Sequence, residues 1–533
     1  MRAILTLFVA AATIITTASP AHAQQTAADS VNIFEHINIE LLDLQKLGDQ
    51  VSKRLGGETV RLSLEDCITM ALANNQTIRI TRFETSLANA DLLSAKGIFD
   101  PALSGTYNFS DTISPPSPLQ SRFGNFDPDV TIEQANIRYQ LSLQGLFTHF
   151  GTQYSVDWSL GRESGSFSPT ATYNGSLTTT ITQPFLRGRG TKLNKIQIQI
   201  AENGLQMSAA QIQQTTESTI GNTINAYWDL VGAIKNLDVR RQSFDNALRL
   251  VTINEQRLAI GTAAAIEVLQ AKAEAASRQS DLITARTAIM DAEDTLKNFL
   301  NMSDGEIFSM NSIIPTTAPG TIGEVWDLNR SIQLALQNRP EIITAEYQLE
   351  NSTLDKQSAK NDLLPQLDGQ VSYGQDAREL AWEDIPHGIR EVQGRSWTLG
   401  VTGSIPLINR QARGAHIRSK QIERQNQLRL AQARRDVMLD VRISVRGVAS
   451  SEILVESDKQ ARILQEANVA AEEKRLTLGV TTSQDVLDRQ EDLATAQTQE
   501  LQSIVGYEKA LISLQVAEGT LLENLHIDWN TLE

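Results

Sequence analysis

No proline interrupts the chain between Pro184 and Pro315, and none follows Pro406. Those stretches of 130 and 127 residues lack the main helix breaker. Both are rich in Ala, Gln, Leu, Glu and Arg, which are good helix formers. Apolar residues recur there at steps of three and four: Ile220, Ile224, Tyr227, Val231 and Ile234, then Phe244, Leu248 and Val251. A mean step near 3.5 is a coiled-coil seam. A helix over about 192–259 is on the order of 100 Å long at 1.5 Å per residue. No compact globular domain accommodates it, so these helices are expected to build something elongated.

Two regions carry the other period. Between 103 and 183, Leu103, Tyr107 and Phe109 alternate with Ser104, Thr106, Asn108 and Ser110. Tyr139, Leu141 and Leu143 alternate with Gln140, Ser142 and Gln144; Tyr154, Val156, Trp158 and Leu160 with Ser155, Asp157 and Ser159; Leu177 and Ile181 sit among threonines. The second region is shorter, with Leu367, Val371 and Tyr373, then Trp397, Leu399, Val401 and Ile405. Strands with one apolar and one polar face fit a β-sandwich and equally a transmembrane barrel. The Ser, Thr, Gln and Asn partners suit a wet lumen. Pro115, Pro116, Pro118 and Asp127-Pro128 predict a long loop between strands.

Composition removes several classes. The 533 residues include 47 Lys+Arg and 63 Asp+Glu, a net charge of −16, which is wrong for gripping nucleic acid. No apolar run of 18 residues occurs past the N-terminus, which excludes a multi-span helical membrane protein. Arg2, the apolar stretch Ala3 to Ala18 and Ala21-His22-Ala23 describe a secretory signal peptide over 1–23, with cleavage expected after Ala23. Export to a bacterial envelope fits. The single cysteine, Cys67, cannot form an internal disulfide or a cysteine-rich metal site, and reads as a buried small apolar residue.

The chain repeats itself. Leu64, Ile68, Ala71, Leu72, Asn74 and Ile78 return 264 positions later as Leu328, Ile332, Ala335, Leu336, Asn338 and Ile342; Lys96 and Pro101 match Lys360 and Pro365. Pro184 pairs with Pro406 at an offset of 222. Arg257, Leu258, Gly261, Val268, Leu269 and Ala276 match Arg475, Leu476, Gly479, Val486, Leu487 and Ala494 at 218. The first half therefore holds 264 − 222 = 42 extra residues, all in its strand region. The expected plan is an N-terminal extension (24–60), a first repeat over 61–303 and a linker over 304–325. A second repeat over 326–523 and a tail over 524–533 follow. Strands are expected at about 103–184 and 366–406, and helical hairpins at about 191–303 and 409–523.

This order of elements resembles the TolC-like outer-membrane efflux proteins over nearly all of residues 60–523. The most specific marks are Leu62 to Asn75 (LSLEDCITMALANN), Gln183 to Gly190 (QPFLRGRG) and Gly479 to Asp488 (GVTTSQDVLD). The resemblance implies a mostly α protein with a membrane β-barrel portion: a homotrimer whose strands share one outer-membrane barrel and whose antiparallel coiled-coil hairpins form a periplasmic tube. It implies a passive exit duct for efflux or type I secretion, docked to a periplasmic adaptor and an inner-membrane transporter. The family pattern has four strands per subunit. This chain reads as four in the first half and two in the second, and the sequence leaves open whether the extra pair joins the wall or forms an outside hairpin.

By the same resemblance Asp485 and Asp488 line the periplasmic constriction, where three subunits make rings of six carboxylates that favour cations. The family's best-known member has a Tyr and an Arg that close its tip; Leu476 and Thr481 stand there instead, so the closed state is expected to be held differently. Arg257, Leu258, Gly261, Arg475, Leu476 and Gly479 are expected at an adaptor-docking tip. Pro184 and Pro406 mark the strand–helix junctions. Arg187, Arg189, Lys192 and Lys195 are expected to meet lipid head groups. No metal, cofactor or catalytic role is expected, since the histidines are scattered and no hydrolase or metalloprotease motif occurs. The rival class is a structural coiled-coil or adhesin-like envelope protein, which leaves the twin strand regions unexplained.

Overall fold

The computed structural model describes residues 60–115, 131–165, 168–302, 312–320 and 327–527. The expected signal peptide, nearly all of the 24–60 extension, the Pro116–Pro128 part of the long loop and most of the linker and tail lie outside the described residues.

The first repeat begins with β1 (Val60–Leu62), α1 (Leu64–Asn74) and α2 (Gln76–Lys96). Apolar positions run on from Leu64 to Ile78, but the helix breaks at Asn75. Its side-chain oxygen accepts from Thr77 N at 2.9 Å and so caps α2. Four strands follow: β2 (Ala102–Ser114), β3 (Ile132–Leu146), β4 (Gln153–Gly165) and β5 (Ser168–Pro184). A single turn, α3 (Thr191–Asn194), leads into α4 (Ile196–Ala259), which returns as α5 (Ala265–Leu300).

After β6 (Ile313–Pro315) the plan recurs with α6 (Leu328–Asn338), α7 (Pro340–Asn361), β7 (Gln366–Glu379), the short α8 (Ile385–Arg390), β8 (Gly394–Ser404), α9 (Arg410–Thr477) and α10 (Ser483–Glu518). The one-turn α11 (Leu521–Asn524) closes it. The break between α6 and α7 falls on Arg339, which precedes a proline and so is pushed out of helical geometry. Arg339 lies 264 residues after Asn75, and the caps Ser63 and Asp327 share that offset.

The two long helices run 64 and 68 residues. Each pairs with its 36-residue return helix. One core gathers Cys67, Ile68 and Ala71 against Ile220, Ile224, Tyr227, Leu230, Leu296, Leu300 and Ile313. Its counterpart in the second repeat gathers Ala335 and Ile342 against Val437, Val441 and Ala517. Cys67 is fully buried as expected, and burial pushes its thiol up to about 12.

The long strands form one antiparallel sheet in the order β2-β3-β4-β5-β7-β8. The first repeat contributes four strands and the second two, and the additional pair is continuous with the rest. The ladder keeps every apolar set on one face. Tyr107 opposes Tyr139, Leu141 opposes Trp158, Trp158 opposes Leu177, Ile181 opposes Val371, and Tyr373 opposes Trp397. The other face carries Thr106, Gln140, Ser159, Ser176, Ser372 and Thr398. Near the β7–β8 connection, Ile385 and Ile389 of α8 pack on Leu160, Tyr173, Leu177 and Ala377 of the apolar face. Gly175 permits this, because a Cβ there would stand 2.2 Å from the Ile385 Cγ2.

Candidate functional site

The hairpin tips are two copies of one turn. α4 ends in a Schellman motif, with Gly261 at φ 78° donating to the Leu258 carbonyl at 3.0 Å and Thr262 to Arg257 at 2.8 Å. α9 ends the same way: Gly479 at φ 75° donates to Leu476 at 3.0 Å and Val480 to Arg475 at 3.1 Å. The left-handed conformation is why glycine stands at both positions. Leu258, Ile260, Leu478 and Val480 are exposed around the turns, while Leu476 is half-buried. Arg475 reaches Glu472 at 3.1 Å. The Arg257 Nη1 is buried with no partner among the described residues.

Asp485 and Asp488 lie in the first turns of α10. Both are exposed, and the buried pair Val486 and Leu487 lies between them. Asp485 completes a capping box: Thr482 Oγ1 donates to its carboxylate at 2.6 Å, Thr482 N at 3.0 Å and Thr481 Oγ1 at 3.0 Å. Those bonds, the Thr482 hydroxyl first, hold the Asp485 carboxyl below the usual carboxylate range. Asp488 accepts only from Gln484, at 2.8 Å, among its described hydrogen bonds. The two repeats differ here. The first tip has Glu267 where the second has Asp485, and Gln270 where the second has Asp488. The double acid belongs to the second tip alone.

The Thr481 hydroxyl shares its one proton between the carboxylates of Glu472 and Asp485. A buried tie joins the hairpins. Ser483 Oγ donates to Asn254 Oδ1 at 2.7 Å, and both residues are buried. Asn254 Nδ2 in turn reaches the Glu267 carbonyl at 3.4 Å. Further up, Arg278 of α5 bonds Glu274 at 2.6 Å and Glu491 of α10 at 3.1 Å. Sequence reading missed these residues. Buried Asn254 and Arg278 on otherwise apolar seams were the available signal.

At the opposite end of α4, Pro184 closes β5 opposite Asp368, and Pro406 lies between β8 and α9. Arg187 donates to Gln366 at 3.1 Å, and Gly188 N donates to Asn361 at 2.8 Å. The Arg187–Gly190 loop is thus fastened to the second repeat. A cleft of about 780 Å³ opens there, lined by polar-face residues including Gln144, Thr180, Thr182 and Asp368.

A sheet whose apolar side chains gather on one face, joined through proline junctions to paired helical hairpins, has the architecture of an outer-membrane channel subunit. The chain belongs to the outer membrane efflux protein family, whose sequence profile matches residues 67–302 and 331–520. It is 22% identical over 348 residues to the outer membrane protein TolC of Vibrio cholerae, covering 63% of this chain and 75% of that one. It is 24% identical over 318 residues to the pyoverdine export outer membrane protein OpmQ of Pseudomonas putida, covering 58% of this chain and 63% of that one. Its fold matches the Campylobacter jejuni CmeC outer membrane channel at a TM-score of 0.65 and 14% identity, with 86% of each chain covered. Membership places the protein in the bacterial outer membrane, in a family of efflux channels. Among the described residues no helix is long and apolar enough to cross a membrane.

Proposed function

We propose that this protein is the outer-membrane exit duct of a tripartite efflux or type I secretion system, acting as a homotrimer. The observation that carries the reading is the separation of two surfaces along one chain: a sheet with its apolar side chains on one face at one end of the long helices, and two hairpin tips at the other. Backbone in hydrocarbon must be satisfied by helix or by a closed sheet. Six strands cannot close around a lumen, since eight leave only enough room for side chains, so several copies must contribute.

The helices support the same reading. Ile80, Phe83 and Leu87 form an exposed stripe on α2, and Leu428, Leu439, Ile443, Ile453 and Leu464 are exposed along α9. Exposed apolar surface on this scale marks an interaction face, here covered by neighbouring copies. The duct is passive. Its tip is closed at rest, with Asp485 and Asp488 facing the constriction. A periplasmic adaptor docks at Arg257, Leu258, Gly261, Arg475, Leu476 and Gly479, and engagement with the inner-membrane transporter opens the tip.

Protein extracted from outer membranes in detergent tests this. A native mass of three chains, and pores in a planar bilayer, are expected. A folded monomer that forms no pores contradicts the duct.

A further inference from the structure

The geometry points to an eighteen-stranded shared barrel, closed by β2 of one copy pairing with β8 of the next, with the additional hairpin built into the wall. This rests on the three-copy duct reading and adds to it which edges meet and how wide the wall is.

Three observations carry it. First, every strand of the first repeat is a full member of the sheet. β2 and β3 keep thirteen consecutive register pairs, from Ala102↔Gln144 to Ser114↔Ile132, and β3 and β4 keep thirteen more. Leu103, Tyr107, Phe109 and Ile113 of β2 are all exposed on the apolar face shared with the other five strands. A hairpin folded outside the wall would need no such face.

Second, the sheet is staggered as a barrel wall must be. Starting at Ala102, the first residue of β2, and stepping straight across, the partners are Gln144, Ser155, Thr180, Ser372 and Thr398. The helix-proximal strand ends lie progressively beyond that line. Leu146 is two residues beyond Gln144, Gln153 two before Ser155, Pro184 four beyond Thr180, Gln366 six before Ser372, and Ser404 six beyond Thr398. Six residues over five steps is about one residue per strand. That ratio gives a strand tilt of about 36° in a barrel of equal shear and strand number.

Third, the free edges match. β2 leaves the helices and β8 returns to them, so neighbouring copies meet antiparallel, as an even number of strands per copy requires. An unpaired edge in lipid leaves a row of unsatisfied backbone groups. Keeping the apolar faces aligned pairs odd-numbered residues of β2 with odd-numbered residues of β8. The occupant of each edge is therefore a second copy of this chain. Barrel diameter grows roughly linearly with strand number, so the lumen is about half as wide again as one built from four strands per copy.

The test is cross-linking in the full chain with Cys67→Ser as background. Asn108→Cys on β2 is combined in turn with Thr398→Cys, Gly400→Cys and Thr402→Cys on β8, all on the lumen face. The expected result is a covalent trimer, at high yield for one of the three and falling away two residues to either side. A parallel series combines Ser159→Cys on β4 with the same β8 positions. Trimers from that series only place β2 and β3 outside the wall and overturn the eighteen-stranded barrel while the duct stands. Trimers by native mass that cross-link in neither series also overturn it. Covalent dimers in place of trimers overturn the count. Folded protein that stays monomeric overturns the duct with it.

Discussion

Ser483 Oγ meets Asn254 Oδ1 at 2.7 Å, joining the first turn of α10 to α4 in a contact only 3% and 0% exposed at its two residues. The bond fastens one hairpin of the chain to the other just above the turns. A tip that opens by separating its hairpins must break it. Ser483→Ala leaves the Asn254 oxygen buried without a donor, at a cost of about 1–3 kcal/mol. Single-channel recording is expected to show open-state occupancy raised about fivefold or more, with conductance of the open state unchanged.

Gly479 has open space where a Cβ would go, so a substitution there meets only the left-handed backbone. Gly479→Ala is expected to destabilise by about 1 kcal/mol and Gly479→Asn by less, because Asn tolerates that conformation. Thermal melting of the detergent-solubilised protein reads the difference. Gly261→Ala, with the same geometry, is expected to behave alike.

Thr482→Ala removes the cap of α10 and is expected to cost about 1 kcal/mol. Its partner Asp485 has a carboxyl held below the ordinary 3.8 by those same bonds. A depressed acid contributes stability above its unfolded value and loses it as pH falls through the folded one. The Thr482→Ala deficit measured by melting should therefore be present at neutral pH and shrink below about pH 4.

Glu217 sits buried on α4, where burial raises its carboxyl to about 7 from an ordinary 4.5, against the bond from Gln213 at 3.0 Å and the nearby Arg339. The folded state holds this proton where the unfolded state has lost it. Stability from Glu217 is fully present below pH 4.5 and is lost as pH rises through 7. Glu217→Gln keeps the neutral form throughout. Its melting temperature is expected to exceed that of the natural protein above pH 7, by the equivalent of about 3 kcal/mol at most, with the gap closing toward pH 4.5.

Much of this arrangement could be read from the residues. Proline spacing gave the long helices, because one proline inside α4 or α9 would have broken it. Alternation gave the six strands, because the sheet has one apolar and one polar face. The 264-residue offset paired Leu64 to Ile78 with Leu328 to Ile342, and the caps Ser63 and Asp327 then fell at the same offset. What sequence could not give was contact between segments distant in the chain. Asn254 and Ser483 are 229 residues apart, and nothing local to either marks the other. The break at Asn75 was hidden because the apolar periodicity runs straight through it. α8 was hidden because six residues are too few for a period, and its place over Gly175 depends on a strand two hundred residues away. Asp485 was visible as an acid, but its capping role needed the backbone of Thr482.

The most direct test of the duct and its gate is single-channel conductance in a planar bilayer, comparing the natural protein with Asp488→Asn and with Asp485→Asn/Asp488→Asn, before and after a trivalent cation. Asp488 takes no part in the cap, and Asn at 485 keeps an acceptor for Thr482, so both variants retain the fold of the tip. Small cation-selective currents blocked from one side are expected, with block weakened in the single variant and abolished in the double. Currents whose selectivity and block ignore both substitutions would contradict a gate at these carboxylates.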